Sequence, residues 1–335
     1  MSEREGSQRE RGATRAGRPA LAPAGLSEER AQHEIHPEDE SAYRSLAEVH
    51  EDARWAFGTG FDDPLSGVDT RLPSGVDGAA LAAYCLMLGD DALVAAQRLT
   101  EWVTRAPELE QEVGLANIGL DLLGQARLLL SRAARADPSV LPAGGTGVPE
   151  DALAYFRDEP AFRNVRLCEL ANGDFAFTTV RLLVFSAWRL AVFARLVDSA
   201  DPVLAAVAAK GVKELTYHRE HAARWVVRLG DSTPVARERV EAALAAVWPW
   251  LPELFATSAV EAALPGVAVD PAEVRPEVEA VLTEVLAAAT LPAPEVPPAA
   301  LVAGRAGRDG VHTEAMGYLL AELQSVARAH PGATW

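Results

Sequence analysis

Asn117, Asp121 and Gln125 stand four residues apart in LANIGLDLLGQARLLL (115–130), so they share one face of an otherwise apolar helical stretch. A second polar face lies in KELTYHREH (213–221), where Glu214 and His218 are four apart and His221 follows three later. Glu101 of RLTEW (98–102) supplies another carboxylate. Carboxylates and imidazoles on facing helices are donors for a di-iron centre. Such a centre takes one Glu from each of two helices and a Glu-x-x-His pair from each of the other two.

Counting tests that chemistry. The seven histidines are His33, His36, His50, His218, His221, His312 and His330, so the first three long helical segments contain none. Three residues after Asp121 stands Gly124, where a second carboxylate-x-x-His pair needs histidine. The segment VRLLVFSAWRLAVFARL (180–196) offers only Ser186 and arginines. The expectation is therefore no catalytic residue and no metal in this chain. Asp121 and Gln125 are expected in a buried hydrogen-bonded network, partnered by some of Arg98, Lys210, Lys213 and His218. Two other readings stay open. One is a histidine-poor oxygenase site built from Glu101, Asp121, Glu214 and His218. The other is a coenzyme A contact by Arg305 and Arg308 of GRAGRDGVHTE (304–314), read as a flexible basic turn leading to a helix capped near His312 or Thr313. There is no G-x-S-x-G elbow, no glycine-rich loop followed by lysine and no cluster of Cys and His.

The elements that must hold these residues are helices. From Asp77 onward apolar residues recur at three- and four-residue spacing, with breaks at glycine or proline. Long helices are expected over 79–105, 108–135, 174–199 and 202–229, the last opened by Asp201 as cap and Pro202 at the first turn. A short helix near 150–157 and others near 234–256, 271–289 and 312–329 complete the set. Four helices of about 25 residues, each about 37 Å long, make an all-α, ferritin-like long four-helix bundle with additional C-terminal helices. Residues 77–335 form that domain, and residues 1–76 read as a disordered or loosely docked N-terminal extension. A short helix with Trp55 and Phe57 is expected within 41–60.

Composition narrows the function classes. A formal charge of −17 and a pI near 4.9 argue against nucleic acid and anionic membranes. Two cysteines, Cys85 and Cys168, are too few for a disulfide framework, and a reducing cytoplasm fits best. No apolar run reaches the roughly 18 residues expected of a membrane span, and MSEREGSQRERGATRAGRPA lacks the apolar core of a secretory leader. Trp102, Trp188, Trp225, Trp248, Trp250 and Trp335 are read equally as core filling or as interface anchors.

The stretches APELEQEVGLANIGLDLLGQAR (106–127), AAKGVKELTYHRE (208–220) and GRDGVHTEAMGYLLAELQSVARAHPGATW (307–335) resemble the C subunits of bacterial phenylacetyl-CoA 1,2-epoxidases. The similarity spans Leu81 to Trp335, and WAFGTGFDDPLSGVD looks like the extension of actinobacterial members. The resemblance implies a ferritin-like, non-catalytic structural subunit in aerobic phenylacetate degradation. Its partner would be a homologous catalytic A subunit that holds the di-iron centre and phenylacetyl-CoA. A bridging B subunit and a reductase using NADPH would complete the monooxygenase complex. It also implies that Glu101, Asp121, Gln125, Glu214 and His218 are the vestige of a metal site.

Overall fold

The computed structural model describes residues 65–333. Residues 1–64 of the N-terminal extension, with the helix expected within 41–60, and Trp335 lie outside the described residues.

The chain is all-α. Eight helices organise it: α1 Gly78–Thr100, α2 Leu109–Ala136, α3 Pro149–Tyr155, α4 Phe175–Leu196, α5 Pro202–Gly230, α6 Pro234–Val247, α7 Arg275–Ala288 and α8 Glu314–Ala329. Single turns at Arg166–Glu169, Leu251–Leu254 and Ala259–Ala262 punctuate the connections. Among the described residues the only extended pairing is an isolated bridge between Val302 and Arg305. The long helices form two hairpins, α1 with α2 and α4 with α5, and α2 packs on α5. This is the ferritin-like arrangement.

Local chemistry sets the helix ends. Asp77, Asp174 and Asp201 each cap a helix, accepting from Ala79 N–H (2.8 Å), Phe177 N–H (2.9 Å) and Leu204 N–H (2.9 Å). α1 stops at Thr100, five residues earlier than its apolar spacing predicts. Residues 101–105 turn instead, with Thr104 in the left-handed region at φ 70°. The helix expected over 234–256 is likewise divided, because Pro249 and Pro252 each withhold an N–H.

Residues ahead of α1 already touch the body. Leu65, Val68 and Val76 pack on the core, and buried Arg132 of α2 donates to the Thr70 carbonyl at 2.7 Å. Trp102 and Trp188 are core residues, Trp102 donating to Thr178 Oγ1 at 2.8 Å, while Trp248 and Trp250 pack at the core's edge. Both cysteines are free and buried, and burial pushes their thiols up.

By length and mean hydropathy alone, α1, α2, α4 and the stretch Pro234–Ala262 are each long and apolar enough to cross a membrane. This corrects the expectation that no segment qualifies, since a windowed mean tolerates the single polar residues that interrupt each run. In α1 and α4, 83% of the most apolar 18-residue stretch is buried against the rest of the protein, so their apolar surface is used in the bundle.

Candidate functional site

α2, α4 and α5 converge on a column of polar side chains. His218 Nε2 of α5 lies 3.0 Å from Asp121 Oδ2 of α2, so that nitrogen carries the shared hydrogen. One turn away, Gln125 Nε2 donates to Glu214 Oε2 at 2.9 Å, and Gln125 Oε1 accepts from Arg189 Nε of α4 at 3.0 Å. Arg189 continues to the Leu88 carbonyl of α1 at 3.1 Å and lies over the Phe193 ring, 4.4 Å from its centroid. Lys210 reaches Glu214 from the surface at 3.4 Å. Arg189 is fully buried, and burial pushes its pKa down to about 10. His221 neighbours this column. Burial, then the nearby His218 and Arg224, push its pKa down.

Four of the five residues marked by sequence, Asp121, Gln125, Glu214 and His218, thus meet. Glu101 does not join them. Because α1 ends at Thr100, Glu101 is its C-cap, where it accepts from Arg98 at 2.7 Å and from Asn172 at 2.9 Å. Arg98, offered above as a partner for Asp121, instead donates to the carbonyl of Glu169 at 2.7 Å. The residue that sequence reasoning passed over is Arg189. Its signal was a lone cation in an apolar run, equidistant in character from a snorkelling surface residue and a core one.

This donor set does not fit a carboxylate-bridged iron pair. A guanidinium occupies the interior beside Gln125, and the two carboxylates are spent on His218 and on Gln125 with Lys210. Among the described residues no three His, Cys, Asp or Glu side chains are grouped to hold a metal ion.

A second buried polar layer was invisible in the sequence. Adjacent Asp90 and Asp91 of α1 are both fully buried. Asp90 pairs with Arg157 and accepts Arg163 N–H at 2.8 Å. Asp91 pairs with Arg308 at 2.8 Å and accepts Val165 N–H at 2.8 Å. Arg308 also donates to the carbonyls of Met87 (2.9 Å) and Arg163 (2.7 Å). Those donors are therefore committed inside the fold, which corrects the idea that Arg308 meets coenzyme A phosphates. Arg305 is exposed and donates to the Asp309 carbonyl at 2.7 Å.

Nor is 304–314 a flexible turn. A Cβ at Gly307 would run into the Asn164 carbonyl oxygen, and Gly310 takes φ 71° against Pro160. His312 Nδ1 lies 2.7 Å from Glu169 Oε2 and its Nε2 lies 3.2 Å from the Phe162 carbonyl. Both nitrogens face acceptors, which only the imidazolium satisfies. Burial lowers the His312 pKa, but the Glu169 carboxylate outweighs it and holds the group above its ordinary value.

The sequence matches the family described as Phenylacetic acid catabolic protein over residues 71–335. The chain belongs to this family. It is 44% identical over 257 residues to the C subunit of the 1,2-phenylacetyl-CoA epoxidase of Escherichia coli (strain K12), covering 76% of this chain and 99% of that relative. The family match therefore takes in both polar layers and leaves residues 1–70 outside it.

Proposed function

We propose that this chain is the non-catalytic structural subunit of a multicomponent phenylacetyl-CoA epoxidase, acting in the cytoplasm in aerobic phenylacetate breakdown. In this reading it pairs with a catalytic A subunit that carries the di-iron centre and holds phenylacetyl-CoA. A bridging B subunit and an NADPH-dependent reductase complete the assembly. The observation that carries the proposal is the Arg189–Gln125–Glu214 column. It places a cation and an amide in the bundle interior where a catalytic homologue needs bare carboxylates and a second histidine. The Escherichia coli relative is by name one lettered subunit of an epoxidase, which supports membership in a complex.

The test is to produce the catalytic subunit with and without this chain, measuring soluble yield, iron content of each component and epoxidation of phenylacetyl-CoA with the reductase. The expected result is that this chain purifies without iron and that the catalytic subunit loses solubility or turnover without it. A catalytic subunit that is fully soluble and active by itself would refute the structural role. So would stoichiometric iron in this chain.

A further inference from the structure

Of the three asparagines, Asn172 alone is followed by glycine; Asn117 precedes Ile118 and Asn164 precedes Val165. An Asn-Gly junction has a reaction of its own. The glycine nitrogen can attack the asparagine carboxamide, because glycine has no Cβ to hold the two apart. What the fold adds is the environment of that carboxamide.

Asn172 lies half-buried in the irregular stretch between the Arg166–Glu169 turn and α4. Its Oδ1 accepts from the Arg181 guanidinium, and its Nδ2 donates to the Arg98 carbonyl at 2.6 Å and to Glu101 Oε2 at 2.9 Å. Arg181 is 5% exposed and, among the described residues, is hydrogen-bonded only to the Leu170 carbonyl and to Asn172. Burial, and then the nearby Arg98, push its pKa down to about 10, so it is still a cation at neutral pH. Arg98 already holds Glu101 as its counter-ion at 2.7 Å. Two buried cations thus share one acid, and Arg181 is the one left without a partner of opposite charge. Gly173 is exposed, and among the described residues its N–H donates to no group of the protein.

Each participant in the reaction therefore has what it needs. A guanidinium on Oδ1 draws charge from the carbonyl carbon and receives the oxyanion that forms there. A carboxylate on Nδ2 can carry a proton from the Gly173 nitrogen to the departing amine. The Gly173 nitrogen, free of hydrogen bonds within the fold, is the nucleophile.

We propose that Asn172 is a site of spontaneous deamidation, which gives buried Arg181 the carboxylate it lacks. The bond from Gly173 N to Asn172 Cγ forms and the Cγ–Nδ2 bond breaks. The side-chain amide takes the proton of the Gly173 N–H and leaves as ammonia. Water then opens the cyclic imide at either carbonyl, leaving aspartate or isoaspartate. The product loses the two donors that held the Arg98 carbonyl and Glu101, and it gains a negative charge facing Arg181. This chemistry belongs to the chain itself and does not rest on its role in a complex.

The experiment incubates the full chain in mildly alkaline buffer and follows each asparagine by peptide mass spectrometry that separates aspartate from isoaspartate. The free peptide ELANGDF (169–175) is treated alongside. Conversion is expected at Asn172, at a rate no lower than in the peptide, with Asn117 and Asn164 intact. Gly173→Ala is expected to slow it at least about ten-fold by displacing the nucleophile. Glu101→Gln is expected to slow it as well, by removing the carboxylate from the leaving nitrogen. A Cβ at position 173 would lie 3.1 Å from that of Phe177, so melting curves check the fold of each variant. Where Gly173→Ala does not fold, Glu101→Gln and the peptide comparison decide. A folded chain that converts more slowly than the peptide would show that its hydrogen bonds protect the amide, and the inference fails. It fails equally if Asn117 or Asn164 converts as readily as Asn172, or if folded Glu101→Gln converts at the parental rate.

Discussion

Arg189 of α4 donates to Gln125 of α2 at 3.0 Å in the centre of the bundle, joining two helices that belong to different hairpins. The amide acts as a coupler: its oxygen satisfies the guanidinium and its nitrogen satisfies Glu214. Removing one end strands the other in an apolar interior. Arg189→Ala is expected to lower the unfolding free energy by about 3–5 kcal/mol. Arg189→Met with Gln125→Leu should cost much less than the sum of the two single changes. Urea denaturation of the four proteins of the cycle measures this, and strict additivity would show that the column does not act as a unit.

Arg308 and Arg305, three residues apart, should behave oppositely. Arg308→Ala leaves Asp91, whose carboxyl burial already pushes up, without its cation, at an expected cost of about 3–5 kcal/mol. Arg305→Ala touches one surface carbonyl and is expected within about 0.5 kcal/mol of the parent. Thermal unfolding of both variants distinguishes a buried tie from a basic surface loop. Equal effects would contradict the assigned roles.

The His312–Glu169 pair gives a pH signature. The folded pKa of His312 lies above its ordinary value of 6.5, so its stabilisation is fully present below that value. It is lost as pH rises from there through the folded pKa. His312→Gln is therefore expected to be less stable than the parent at acid pH, the gap closing as the solution becomes alkaline. Equilibrium unfolding at a series of pH values reads this, and a gap that widens with pH would show that His312 is held neutral.

Gly307→Ala should release the 304–312 segment, since the new methyl group and the Asn164 carbonyl cannot share one place. The expected readout is limited proteolysis confined to this loop, with a loss of at least about 2 kcal/mol in global stability. Protease resistance equal to the parent would mean that the loop is held by other contacts.

The helices were legible because their ends are written in single residues. Asp201-Pro202 opens α5 where expected, and Asp137-Pro138 closes α2. The end of α1 was not, because Trp102 and Val103 keep the apolar spacing past Thr100, where the helix has already given way to turns that end at Thr104. At the site, His218 was among the partners expected for Asp121, whereas the Gln125–Glu214 contact was not foreseen, because a face shared along one helix does not say which side chain of the next it meets. Arg189 could not be assigned from its own helix, since its partner lies 64 residues away. The Asp91–Arg308 pair is further out of reach, with 217 residues between them and no periodicity connecting them.

That separation governs the order in which the protein is made. Asp91 is synthesised early, within the first long helix, and its cation emerges only after more than two hundred further residues have left the ribosome. Until then Asp91 lacks the guanidinium that pairs with it in the finished fold, although its own helix α1 and the neighbouring α2 are already complete. The pair therefore joins the first long helix to a segment more than two hundred residues later, and it exists only in chains that extend through Arg308.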